Sequence, residues 1–94
     1  MAQFIERGHR YDLNIWVQAS QEGTDKFQAK LIDMSTTGLK LACMNELNPN
    51  KLITIAIPNG PTLTARTIWT SVGNYGCELI KPRGEDVLPQ ILDL

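Results

Sequence analysis

From Tyr11 onward the chain alternates: Leu13, Ile15, Val17 and Ala19 occupy every second position against Asn14, Trp16 and Gln18. A period of two belongs to a strand with one buried face, so a first strand is expected from Tyr11, with Trp16 on its outward side. The polar run Gln21-Glu22-Gly23-Thr24-Asp25-Lys26 interrupts the pattern, and Phe27, Ala29 and Leu31 resume it against Gln28, Lys30 and Ile32. A second interruption, Asp33-Met34-Ser35-Thr36-Thr37-Gly38, reads as a turn. After it Leu39, Leu41 and Cys43 alternate with Lys40 and Ala42, completing a second hairpin. Asn48-Pro49-Asn50 precedes the β-branched run Leu52–Ile57, which suits a pleated sheet better than a helix. Pro58-Asn59-Gly60-Pro61 ends that run. Leu63 through Val72 supplies a fifth strand, and Gly73-Asn74 reads as a two-residue loop into a sixth, Tyr75–Ile80. Six short strands joined by hairpin connections predict a mainly β fold, a small six-stranded antiparallel β-barrel, because closure removes exposed strand edges.

Past Pro82 the period changes. Glu85 and Asp86 suit a helix N-terminus, and Val87, Leu88, Ile91 and Leu92 share one face of a helix. Pro89 is acceptable only within a first turn, which predicts a short C-terminal helix. The expected organisation is therefore a single domain over 1–94, with a flexible arm over 1–10, the barrel over 11–82 and the terminal helix over 83–94. Ninety-four residues are enough for one modest hydrophobic core.

Composition narrows the function classes. Nine Lys and Arg against ten Asp and Glu leave a formal charge of −1, so no global field holds the chain on nucleic acid or on an anionic membrane. Any anion site has to be local. A groove for single-stranded nucleic acid needs a basic track and exposed aromatics, whereas the chain has two each of Trp, Tyr and Phe, so neither DNA nor RNA is an expected partner. Cys43 and Cys77 are far apart and are read as reduced, partly buried thiols. With one His and two scattered Cys, no metal site and no cofactor are expected. The N-terminus carries no apolar stretch of signal-peptide length and no run approaches a spanning helix, which predicts a cytoplasmic protein without membrane insertion.

Two features stand out as candidate chemistry: the basic arm Arg7-Gly8-His9-Arg10 and the turn Asp33-Met34-Ser35-Thr36-Thr37-Gly38. Asp and Ser at that spacing can cap their own backbone, and Gly38 can take a positive φ or admit a close backbone approach. His9, Asp33 and Ser35 supply the residue types of a hydrolytic triad. Ser35 is not on a nucleophile elbow, however, and Asp33 is only two residues from it, so no catalytic residues are assigned.

With the D-x-S-x-x-G string Asp33–Gly38, an arginine-bearing arm, Trp69 late in the fifth strand and Gly76 in the sixth, the sequence resembles the PilZ domain family, bacterial receptors for cyclic di-GMP. The resemblance covers nearly the whole chain. The family's arm reads R-x-x-x-R, whereas Arg10 at the second arginine puts Glu6 at the first, with Arg7 one position late. Leu79 also stands where an aromatic residue is common. The resemblance implies a non-enzymatic signalling domain in which Arg7, Arg10, Asp33, Ser35 and Gly38 bind cyclic di-GMP. Guanidinium groups fork onto guanine or phosphate oxygens, and a carboxylate accepts from the guanine N1 and N2 donors. Ligand would order the arm and so alter the surface shown to a downstream protein partner. The alternative left open by Glu6 is a degenerate adaptor of the same fold with weak or no nucleotide binding. Trp16 and Trp69 are read as packing residues, with Trp16 also suited to covering the barrel flank or a partner.

Overall fold

The computed structural model describes residues 8–94. Six strands precede one helix: β1 (Tyr11–Gln21), β2 (Phe27–Met34), β3 (Gly38–Ala42), β4 (Leu52–Ala56), β5 (Thr62–Ser71), β6 (Asn74–Lys81) and α1 (Gly84–Leu92). Each strand pairs antiparallel with two neighbours, in the closed order β1-β2-β3-β6-β5-β4. The barrel is thus two three-stranded meanders, β1-β2-β3 and β4-β5-β6, joined along β3–β6 and β1–β4. This is the mainly β barrel with a short C-terminal helix that the alternation predicts.

The inward positions make one buried cluster. Val17 and Ala19 of β1, Ala29 and Leu31 of β2, Leu39 and Leu41 of β3, Ile53 and Ile55 of β4, and Leu63 and Ala65 of β5 all belong to it, and α1 adds Val87, Leu88 and Ile91. Burying each large aliphatic side chain contributes roughly 1.5–3 kcal/mol. Two buried polar side chains fix the β3–β4 connection: Gln21 Oε1 accepts the Asn48 N–H (2.8 Å), and Thr67 Oγ1 donates to the Asn48 carbonyl (2.8 Å). Tyr75 holds the same connection, its hydroxyl donating to the Asn45 carbonyl at 3.1 Å and accepting the Leu47 N–H at 3.3 Å.

Several boundaries differ from the sequence-based expectations. Asp33 and Met34 belong to β2 rather than to the turn after it. The β5–β6 loop is Val72-Gly73, not Gly73-Asn74, and both loop residues have positive φ, +42° and +80°, as a two-residue type I′ hairpin requires. Pro89 lies beyond the first turn of α1 and removes one backbone donor there. The carbonyl it deprives belongs to Glu85, an exposed residue whose carbonyl solvent can reach.

Val72 is a β-branched residue on left-handed backbone and is fully exposed (98%). Left-handed geometry costs a residue with a Cβ roughly 1–2 kcal/mol, and asparagine suffers least. Val72→Asn should therefore raise stability by about 1 kcal/mol, read in a thermal melt as a rise of about 4–8 °C. An unchanged or lower Tm would show that the turn is not strained.

Both cysteines are free. Burial pushes the Cys77 thiol up to about 12, with a smaller contribution from nearby Cys43, and burial also raises the half-buried Cys43. Neither is a thiolate at neutral pH, so neither is an activated nucleophile.

Candidate functional site

Two β-bulges build a cleft on the outer face of the barrel. Leu31 pairs with Leu41 but Asp33 with Lys40, so Ile32 is an extra residue in β2. Strict alternation after Ala29 and Leu31 would point Asp33 into the core. The inserted residue turns it outward and returns Met34 to the interior, where Met34 is fully buried. The neighbouring strand β1 accommodates the bend with its own irregularity between Asp12 and Ile15, at which Asn14 takes a φ of +54°. The second bulge repeats the device on β5. Thr67 pairs with Cys77 but Trp69 with Gly76, so Ile68 is the extra residue and Trp69 turns outward. Trp69 is consequently half-exposed (48%) rather than a core packing residue.

The two redirected side chains border a cleft of about 560 Å³, lined also by Arg10, Gly38, Lys40, Ile68, Gly76 and Glu78. That volume falls within the range of about 300–1,000 Å³ usual for small-molecule sites. Arg10 crosses to Asp33, its Nε donating to Oδ1 at 2.8 Å and its Nη2 to the same oxygen at 2.5 Å. Lys40 Nζ stands 3.5 Å from Oδ2. The Asp33 side chain is about nine-tenths buried beneath these cations, while Arg10 and Lys40 remain open to solvent. One carboxylate thus holds two cations at the mouth of the cleft.

Each glycine of the site is required by a close approach. A Cβ on Gly38 would lie 2.8 Å from the carbonyl oxygen of Cys77 on β6. Gly38 is not a positive-φ residue, so it is proximity and not a left-handed turn that excludes a side chain there. A Cβ on Gly76 would lie 2.0 Å from Trp69 Nε1, because the indole rests on that backbone. The turn between β2 and β3 is locked from within. Ser35 is buried, its N–H donates to the Gly38 carbonyl (2.8 Å), and its Oγ accepts the N–H groups of Thr37 (3.3 Å) and Gly38 (3.2 Å). The Thr37 carbonyl accepts the Leu79 N–H at 2.9 Å, tying the turn to β6.

Of the residues assigned from sequence, Arg10, Asp33 and Gly38 meet at the cleft. Ser35 lies under the turn with its hydroxyl engaged by the backbone, outside the cleft lining. Arg7, with Glu6, lies outside the described residues. Lys40, Trp69 and Glu78 were not assigned to the site from sequence, although Lys40 shares the outward phase of Gly38 two positions earlier. Among the described residues no group of His, Cys, Asp and Glu is placed to hold a metal ion. None of the described helices is long and apolar enough to cross a membrane.

Comparison with known proteins agrees with this architecture. The sequence profile of the PilZ domain matches residues 5–93, nearly the whole chain. No curated protein matches the chain significantly.

Proposed function

Because the chain belongs to the PilZ domain family, the receptor and adaptor domains of cyclic di-GMP signalling, we propose that it binds cyclic di-GMP in the cleft between β2, β3, β5 and β6. The observation that carries this reading is the convergence of Arg10, Asp33, Lys40 and Trp69 on one outer face. Asp33 accepts from the guanine N1 and N2 donors, an edge that cations cannot read. Arg10 and Lys40 are released from Asp33 onto phosphate or guanine oxygens, and the exposed indole of Trp69 offers a face to a base. Ser35 contributes by fixing the turn that sets Asp33 beside Gly38. The arm preceding Arg10 is ordered by the ligand, and the changed surface carries the signal to a protein partner. Binding energy does this work, with no covalent step.

A second reading is favoured by Glu6, which stands where the family's arm has its first arginine. A carboxylate there repels phosphate, so the domain would act as an adaptor with little nucleotide affinity. Calorimetric titration with cyclic di-GMP, with GTP and cyclic AMP as controls, separates the two. The receptor reading expects saturable heat for cyclic di-GMP alone, tightened by Glu6→Arg. Absence of heat at high ligand concentration would leave the adaptor reading.

A further inference from the structure

The outer face that carries the cleft continues beyond it. Along β3 the outward residues run Gly38, Lys40, Ala42, and Ala42 stands in register with Lys30 of β2 and Asn74 of β6. Lys30 in turn faces Trp16 of β1. The row Trp16, Lys30, Ala42, Asn74 therefore crosses four strands, one outward step from Lys40. Met44, in the β3–β4 connection, and Val72, at the β5–β6 tip, border the same shallow groove of about 430 Å³.

The large apolar side chains of this groove are exposed. Trp16 is 61% exposed, and Met44 and Val72 are fully exposed. Val72 adds a left-handed backbone that asparagine or glycine would adopt more readily, although its side chain stays fully exposed among the described residues. At the centre Lys30 Nζ lies 5.7 Å from the centroid of the Trp16 ring, the one charge among the described residues that line the groove. An ammonium held against an indole amid apolar neighbours is a favourable partner for a carboxylate that arrives with its own apolar surroundings.

The barrel's closure limits what can dock. Lys30, Ala42 and Asn74 are each paired on both sides, and only Trp16 lies beyond the β1–β4 pairing, which begins at Gln18, so over the floor of the groove a partner cannot add a strand and has to pack side chains on the outer face. In a twofold pairing of two copies through this groove Lys30 would meet only the same lining, which holds no carboxylate among the described residues. We propose that the groove docks an amphipathic helix of a protein partner, which places an acidic side chain on Lys30 and apolar side chains over Trp16, Met44 and Val72. The proposal stands apart from the nucleotide reading, and neither depends on the other.

The test uses the 15N-labelled protein and synthetic helical peptides with one apolar stripe, identical except for Glu, Gln or Lys at the stripe's centre. The Glu peptide should shift the Trp16 indole N–H and the amides of Lys30, Ala42 and Val72, with the Gln peptide about tenfold weaker and the Lys peptide weaker still. Lys30→Glu should reverse that order, and Trp16→Ala, at an exposed position, should remove binding with the fold intact. Val72→Asn should weaken binding while raising Tm, a combination that a purely structural role does not produce. Four results would overturn the proposal: no shifts at millimolar peptide, shifts indifferent to the central charge, self-association of the protein through these residues, or their capture by phosphatidylglycerol vesicles in place of peptide.

Discussion

Asp33→Asn is expected to weaken cyclic di-GMP binding by about 30-fold to 1,000-fold in calorimetric titration. The amide retains one acceptor but turns its Nδ2 donors toward guanine donors, replacing attraction with repulsion. Hydrogen bonds to a charged group contribute roughly 1.5–3 kcal/mol each, and every 1.4 kcal/mol is a factor of ten. The substitution should barely change Tm. The Arg10 partner is half-exposed, and ion pairs of that kind contribute on the order of 0–1 kcal/mol to folding. Ser35→Ala serves as the contrast. It should lower Tm, because Ser35 Oγ accepts two turn amides, and should affect affinity only through the loosened turn. Unchanged affinity in Asp33→Asn would remove the carboxylate from the site and with it the proposed reading of guanine.

The largest loss of stability is expected from the smallest change, Gly84→Ala. Gly84 opens α1 against the β2–β3 turn, and a Cβ there would lie 1.7 Å from the Thr36 carbonyl oxygen. Neither backbone can yield locally, because the helix is anchored by buried Val87, Leu88 and Ile91 and the turn by Ser35 and Leu79. The helix has to lift away, exposing part of that apolar face. The resulting cost is about 3 kcal/mol, seen as a fall in Tm of roughly 12–24 °C. Alanine is ordinarily better than glycine inside a helix by about 1 kcal/mol, so a rise in Tm would show that the contact is absent in solution.

The strands were legible because the barrel interior imposes a period of two on Val17, Ala19, Ala29, Leu31, Leu39 and Leu41. The candidate site was legible where it has a local signature, in the string from Asp33 to Gly38 and in the basic arm that carries Arg10. Alternation assigns every second residue to the core, and a bulge breaks it without any mark when the inserted residue is an ordinary one. Ile32 and Ile68 look like strand residues and are strand residues, yet each reverses the facing of the residues after it. Trp69 therefore read as packing, while Lys40, whose outward facing the alternation gave, carried no mark of the cleft across from it. Where the pattern failed, the cleft was being built. The hairpin tip failed for a different reason: Gly73-Asn74 is the better turn by composition, but cross-strand pairing of Ser71 with Asn74 fixes the loop at Val72-Gly73.

The joining of two meanders also has a kinetic side. Asp33 and Lys40 come from one local hairpin and Trp69 and Gly76 from another, and they share a cleft only once Lys40 of β3 has met Gly76 of β6. That meeting, like that of Gln18 with Ala56, spans a long stretch of chain, so its loop-closure entropy precedes any reward, and such topologies fold over milliseconds to seconds. No half of the barrel carries the cleft. A ligand held there acts as a late-arriving clasp, and mass action spreads its stabilisation over the whole domain instead of over one loop.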